Sequence, residues 1–532
     1  MSLIVALFFG FMLGTRPLSA PDEGRYTEIP REMVVSQDYL TPRLNGVKYF
    51  EKPPLMYWLT AASIHLFGVK EWSVRLWPAL LGLLSCLMVY VVGAHFYSRL
   101  AGWFGGLILA SNILFYAHSR LLILDMGVTF FLSLSLFSFL WATQSTKRQE
   151  QTGALVLFFI AAAGSTLTKG LIGIVIPGAI ILLWTLLTKK YQAMMLAFNP
   201  WGILLFLGLA APWHILIHIK NPEFSEFYFI HEHLLRYLTP IHGRSQPVWF
   251  FIPVLLIGWF PWTSFLLLSL QEAWQRLRTN PVSLFFILWA GFIFVFFSLS
   301  HSKLIPYILP AFPPLAVLIG NQAATTWQNN ILPRWVPLFT AVLTGGIGVA
   351  VPVVLTHQGL NQIQALYPYR LAVMMLMGLG GLLFLFFTVK PKAKPALVAT
   401  CLMGGVLLPI LNAAWPQLDR RSVKKLAETI NTFKKAGDHV VVYGRYYQDL
   451  PPYIQQKVIV VGWQGELSFG MSVEDTSRWM MDQNQFLKVY NSLGTVYIVT
   501  RKEFRTELES LGLRNLTILA ETEKDILLTN IQ

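Results

Sequence analysis

Between residues 21 and 54 the chain reads PDEGRYTEIPREMVVSQDYLTPRLNGVKYFEKPP, directly after its first apolar segment. Asp22, Glu23, Arg25, Glu28, Arg31, Glu32, Glu51 and Lys52 crowd into this Pro-rich stretch, read as a loop packed against a membrane surface. Ionisable groups at a bilayer boundary are costly to desolvate, so the cluster reads as a functional site. The plainer reading is a solvated loop that joins two helices. A carboxylate there could take a proton from an attacking group, and Lys and Arg could neutralise a phosphate. Further on come Asp125, Lys169, the segment FYFIHEHLLRYL with His231, His233 and Arg236, then HSK with His301 and Lys303, and Tyr307. Each has a plainer reading too. Asp125 could pair with Arg120, and Lys169 could cap a helix C-terminus, where cations are favoured. His231 and His233 are two apart, whereas joint metal ligation on a helix needs i, i+4. Asp438, Asp449 and Glu466 read as surface charges. Acids and cations at a lipid boundary suit a substrate with an anionic headgroup and an apolar tail. No P-loop or Gly-rich nucleotide cradle accompanies them.

Composition dictates what must position these groups. The 532 residues are 55% hydrophobic, 14% aromatic and only 13% charged, against about 25% charged in an ordinary soluble enzyme. Apolar runs near membrane-spanning length recur at 2–18, 73–94, 101–116, 121–142, 153–168, 171–188, 200–218, 248–270, 282–299, 304–320, 335–355, 370–388 and 395–412, about thirteen helices by the span-length rule. Continuous runs exclude a barrel of alternating strands. Residues 1–20 read as a retained anchor helix, with Arg16 reaching the interface. Arg99, Lys147, Arg148, Lys189, Lys190, Arg276, Arg278, Arg334, Lys390, Lys392 and Lys394 fall in alternate short loops, which places those loops in the cytoplasm. The longer loops 19–72 and 219–247 then face outward and bring the candidate residues to one face. The +14 formal charge is largely this topology signal, and nucleic-acid binding is not expected. Cys86 and Cys401 lie in apolar segments and read as small buried hydrophobes. From about residue 413 the text turns polar. RRSVKKLAETINTFKKAG and FLKVYNSLG predict helices; HVVVYGR, KVIVVGW and TVYIVTR predict strands. The expected architecture is a polytopic α-helical membrane domain over 1–412 and a soluble periplasmic α/β domain over 413–532.

The strings DEGRYTEIPREM, LNGVKYFEKPPLMYWLTAASIHLFGVKEWSVRLWPALLG, RLLILDM, IHEHLLRY and HSKLIPYILP resemble the polyprenyl-phosphate-dependent glycosyltransferases of the aminoarabinose transferase and protein mannosyltransferase type, membrane enzymes of the GT-C fold. The resemblance covers most of the membrane domain. It implies transfer of a sugar from a polyprenyl phosphate, such as undecaprenyl phosphate, to an envelope acceptor on the outer face of a bacterial inner membrane; in the aminoarabinose branch the acceptor is lipid A. Other glycolipids or protein remain open as acceptors. It implies Asp22 as catalytic acid residue, Asp125 as a second important carboxylate, and Lys52, Arg236 and Tyr307 near the lipid phosphate. Glu51 matches a position that binds a divalent metal in a relative, although it has no His partner at readable spacing. The cluster itself adds Glu23 to the candidate catalytic acids, and Arg25, His231 and Lys303 to the candidate substrate ligands. The mechanism implied is a single, inverting displacement with no certain cofactor. The competing functions are a protein O-mannosyltransferase-like enzyme and a flippase for lipid-linked sugars. A transporter would want polar residues spread through helix midplanes.

Overall fold

The computed structural model describes residues 2–239, 243–275, 277, 279–358, 360–418, 421–513 and 516–530. Arg276 and Arg278 of the basic loops lie outside the described residues, as do 240–242 of the second outer loop. Two units emerge, and the division does not fall at one point in the chain. The first comprises 1–13, 77–219 and 225–418; the second comprises 14–76, 220–224 and 419–532. Much of the charged segment that follows the first apolar run thus folds with the C-terminal region, and the last long helix, Ala393–Leu418, continues past residue 412.

The first unit is helical. Among the described residues, nine helices are long and apolar enough to cross a membrane, and a bent pair, Val248–Gly258 and Thr263–Gln275, makes a tenth. The remaining three expected spans fold as the shorter apolar helices Ser2–Gly10, Arg99–Ala110 and Ile172–Thr188. Helices Leu124–Gln144 and Arg148–Lys169 form a hairpin closed by residues 145–147. At about 1.5 Å per residue each arm is roughly 30 Å long, so the start of the first and the end of the second meet at one end of the pair. Asp125 and Lys169 occupy those positions. An acid in a first turn and a cation in a last turn each complement the helix dipole.

The second unit is built on a six-stranded sheet. Its strands are β3 (His439–Tyr443), β4 (Ile459–Val461), β5 (Met480–Met481), β6 (Val496–Arg501), β7 (Thr517–Glu521) and β8 (Asp525–Thr529), in the order β5-β4-β3-β6-β8-β7. Strands β5, β4, β3 and β6 pair in parallel, and β8 pairs antiparallel with both β6 and β7. Val441, Tyr443, Val461, Phe486, Val496, Ile498, Leu508 and Ile526 form its core. The predicted strands are β3, β4 and β6. Strands β5, β7 and β8 escaped prediction because β5 has two residues and β7–β8 carry acids at their ends.

The segment expected as a loop over 21–54 instead forms helix Asp22–Ser36 and a hairpin of β1 (Arg43–Leu44) and β2 (Val47–Lys48). Eleven consecutive residues of that helix, Glu23 to Met33, are buried. Its charges become bearable because they are paired, not because water reaches them. Gly24 is required: a Cβ there would lie 2.5 Å from the backbone of Gln448 and Asp449.

Candidate active site

In the second unit the parallel strands order the chemistry. In open α/β sheets, functional crevices lie beyond the carboxyl ends of the strands. Here the loop after β3 carries Tyr446, Gln448 and Asp449, and the loop after β4 carries Glu466. Arg25 from helix Asp22–Ser36 donates through Nη2 to Glu466 Oε2 at 2.5 Å and through Nη1 to the Tyr49 hydroxyl at 3.3 Å. Gln448 Nε2 donates to the other Glu466 oxygen at 3.0 Å. Asp22 Oδ1 lies 3.7 Å from Arg25 Nη1, and its side chain is 55% exposed. It is the accessible carboxylate of this group. Burial pushes the Glu466 carboxyl up, Arg25 pulls it back down, and Glu51 raises it again.

The other acids of the helix are occupied. Glu23 is 1% exposed. It accepts from Arg75 on both oxygens at 2.8 Å, from Arg16 at 2.9 Å and from the Ser19 amide at 2.9 Å. Arg16, expected at a bilayer interface, is this buried partner. Glu28 takes Arg31 in a two-point pair at 2.6 Å. Glu32 accepts the Gly46 amide of the hairpin at 2.9 Å and shares a hydrogen bond with Glu28. Burial, then the neighbouring Glu28, raise the Glu32 carboxyl to about 8. Lys52 is buried, with Nζ donating to the Glu51 carbonyl at 2.7 Å. Among the described residues no three His, Cys, Asp or Glu side chains are grouped to hold a metal ion, so Glu51 belongs to no such set.

In the first unit a second group is continuous. Lys169 Nζ donates to Asp125 Oδ1 at 2.6 Å and lies 4.6 Å from the centre of the Tyr307 ring. Arg236 donates through Nη2 to the Tyr307 hydroxyl at 3.2 Å and through Nη1 to Glu232 Oε2 at 2.8 Å. Glu232 is 1% exposed; His231 Nδ1 stands 3.5 Å from its other oxygen. Residues Glu226–Leu235 wind as a wide π-helix, a geometry that clusters at functional sites. It ends at Arg236. His233 Nδ1 contacts the Tyr228 carbonyl at 2.7 Å, and its ring packs over Gly170, where a Cβ would collide with Nε2 at 2.1 Å. Lys303 is buried and donates to the carbonyls of Ser300 and Gln246 at 2.6 and 2.9 Å, fastening a turn. His231 stacks on Phe227 and is 40% exposed.

The partner of Asp125 is Lys169 and not Arg120, whose guanidinium is taken by the carbonyls of Phe9 and Phe11 and by Asn412. Asp449 is no surface charge; it is buried and accepts the Val423 amide at 2.9 Å. Glu466, read likewise, is 16% exposed and pairs with Arg25. Glu232 was missed altogether. Its i, i+4 spacing to Arg236 was the signal that could have found it.

Residues 19–228 match the dolichyl-phosphate-mannose-protein mannosyltransferase family model, and residues 426–530 match the aminoarabinose transferase C-terminal domain. The undecaprenyl phosphate-α-4-amino-4-deoxy-L-arabinose arabinosyl transferase of Aeromonas salmonicida is 31% identical over 438 residues, 81% of this chain and 79% of that protein. Its namesake from Pectobacterium carotovorum is 26% identical across 99% of this chain and 96% of that protein. The crystal structure of ArnT from Cupriavidus metallidurans bound to undecaprenyl phosphate superposes with a TM-score of 0.89 at 29% identity, covering 100% of this chain and 97% of that one. Fold and charged groups together define a multi-pass membrane glycosyltransferase of the GT-C class. The chain belongs to the ArnT-like family of undecaprenyl phosphate-α-4-amino-4-deoxy-L-arabinose arabinosyl transferases.

Proposed function

We propose that this enzyme moves 4-amino-4-deoxy-L-arabinose from undecaprenyl phosphate to lipid A on the periplasmic face of a bacterial inner membrane. The observation that carries the reading is the 31% identity over 438 residues to a relative named for that donor. The structural neighbour that holds undecaprenyl phosphate supports it, as does the paired set Lys169, Tyr307 and Arg236. The alternation of basic short loops supports the orientation.

In this reading an acceptor oxygen attacks the anomeric carbon, the bond from that carbon to the phosphate oxygen breaks, and undecaprenyl phosphate leaves with the electron pair. Negative charge grows on the phosphate as the barrier is crossed. Fixed donors aimed at growing charge lower that barrier. Arg236 and the Tyr307 hydroxyl supply donors, and Lys169 adds a cation held in place by Asp125. Arg236 already donates to the Tyr307 oxygen, which leaves the phenolic proton to donate elsewhere. Roles for Asp22 and Lys52 rest on the resemblance: Asp22, the accessible acid, orients the acceptor or takes its proton if it is a hydroxyl, and Lys52 adds charge for the leaving phosphate. A lipid A phosphate is already ionised and needs no base. Glu23, enclosed by two arginines, positions the helix that carries Asp22.

Purified enzyme in detergent, given undecaprenyl-phosphate aminoarabinose and lipid A, should yield lipid A heavier by one aminoarabinose. No donor consumption with lipid A, alongside consumption of polyprenyl-phosphate mannose with peptide, would select the mannosyltransferase reading instead. For orientation, Ser477→Cys should label from outside intact cells with an impermeant thiol reagent. Ser477 is exposed, and the native thiols Cys86 and Cys401 lie in apolar helices.

A further inference from the structure

The group around Tyr307 has an electrostatic property that the reaction alone does not call for. Each cation that would meet a phosphate already carries its own carboxylate: Lys169 has Asp125 at 2.6 Å, and Arg236 has Glu232 at 2.8 Å. Asp125, Lys169, Arg236 and Glu232 together sum to zero formal charge. A site meant only to capture an anion as tightly as possible would leave its cations uncompensated, because a buried carboxylate beside a bound phosphate is a like-charge neighbour in a poorly screened place. Glu232 is also held from moving away. It lies on the π-helical turn that ends at Arg236, its side chain is almost fully enclosed, and its second oxygen faces His231. The charge change during the reaction makes this consequential. The donor is a phosphodiester with one negative charge. The product is a phosphomonoester, which carries up to two near neutral pH. A fixed carboxylate therefore opposes the product more than the donor.

We propose that Glu232 is a resident counter-ion of the lipid-phosphate site: a positioning residue that holds Arg236 in place while the site is empty and weakens the grip on polyprenyl phosphate once the sugar has left, so that the product lipid is released. This rests on the assignment of Arg236, Lys169 and Tyr307 to the lipid phosphate.

Glu232→Gln separates the two parts of the role. The carboxamide oxygen can still accept from Arg236, so the geometry is kept while the charge is removed. Polyprenyl phosphate should then inhibit the purified enzyme, and bind to it directly, about tenfold more tightly than to the wild type. The donor KM should fall less than the product inhibition constant, and kcat should not rise. A purely structural Glu232 predicts the reverse, since a loosened Arg236 would bind phosphate more weakly; unchanged or weaker product binding overturns the proposal. Melting of each variant in detergent without lipid reports folding. If the glutamine variant does not fold, Glu232→Ala carries the same expectation of tighter product binding, because Arg236 keeps its contact to Tyr307. Arg236→Gln tests the underlying assignment separately. If it leaves polyprenyl phosphate binding intact, the phosphate site is misplaced and the proposal falls with it; if it abolishes binding while Glu232→Gln fails to tighten it, only the counter-ion role is lost.

Discussion

In the helical unit, Lys169 and Arg236 each hold one carboxylate and both border Tyr307. In the α/β unit, Arg16 and Arg75 close around Glu23, and Arg31 takes Glu28. The first arrangement presents two cations and a phenol to a common neighbourhood. The second ties helix Asp22–Ser36 to neighbouring segments of its unit and leaves Asp22, at the helix start, as its accessible acid. Buried ion pairs therefore do two kinds of work in one chain. Burial of a charged residue does not say which. What separates them is whether both ends of the pair belong to the scaffold, as with Glu23, or whether one end also touches a group that can still donate, as with Arg236.

The largest effect that tests this contrast is expected at Glu23. Removing one partner of a buried pair leaves an unpaired charge, and Glu23→Ala strands Arg75, itself 1% exposed. The loss should be about 3–5 kcal/mol of stability, read as a lower melting temperature of the enzyme in detergent, with catalysis impaired only in proportion to the folded fraction. Lys169→Met should behave oppositely. It should lower kcat about a hundred- to a thousandfold, the cost typical of one lost donor to a developing oxyanion, in a transfer assay, with a smaller change in melting temperature. If Lys169→Met proves mainly destabilising, or Glu23→Ala mainly catalytic, the distinction between scaffold pairs and site pairs collapses.

The helical unit was legible because membrane segments tolerate so few ionisable groups that each exception stands out. Asp125 and Tyr307 stand out inside apolar runs, Lys169 stands out between two of them and Arg236 in an outer loop, and all four lie in one connected group. The α/β unit was less so. Glu466 follows a short strand in a Gly- and Gln-containing turn, and nothing in that local text announces an arginine from residue 25 as its partner. Asp449 reads as a turn residue until Ser422 and Val423 are seen donating to it. The charged segment 21–54 reads as a functional site, but Pro21, Pro30 and a charge density that suggests solvent hide its helix. Local pattern reports what a residue is. Pairing across hundreds of positions decides whether it is buried, and only the fold supplies that.

Two smaller effects sharpen the contrast within the α/β unit. Gly24→Ala tests packing without touching charge. Its Cβ would press on the backbone between Gln448 and Asp449, which cannot swing aside as a side chain could. A cost of about 1–3 kcal/mol is expected from overpacking.

The smallest expected effect concerns Glu32. Glu28 from the same helix competes with it for Arg31, Tyr446 and Lys457 come near the pair from the C-terminal region, and the hairpin contributes the Gly46 amide. Glu28 wins the guanidinium, and Glu32 retains its proton up to about 8. The native state then binds more protons than the unfolded chain between the ordinary carboxyl range, near 4.5, and about 8. Stability from this group is full below that window and lost as pH rises through it, with a slope of at most about 1.4 kcal/mol per pH unit. Melting temperature should therefore decline from pH 5 to pH 8 in the wild type by more than in Glu32→Gln, whose side chain carries no titratable proton. Equal slopes would mean that Glu32 is ionised in the native state and that Arg31 serves both acids.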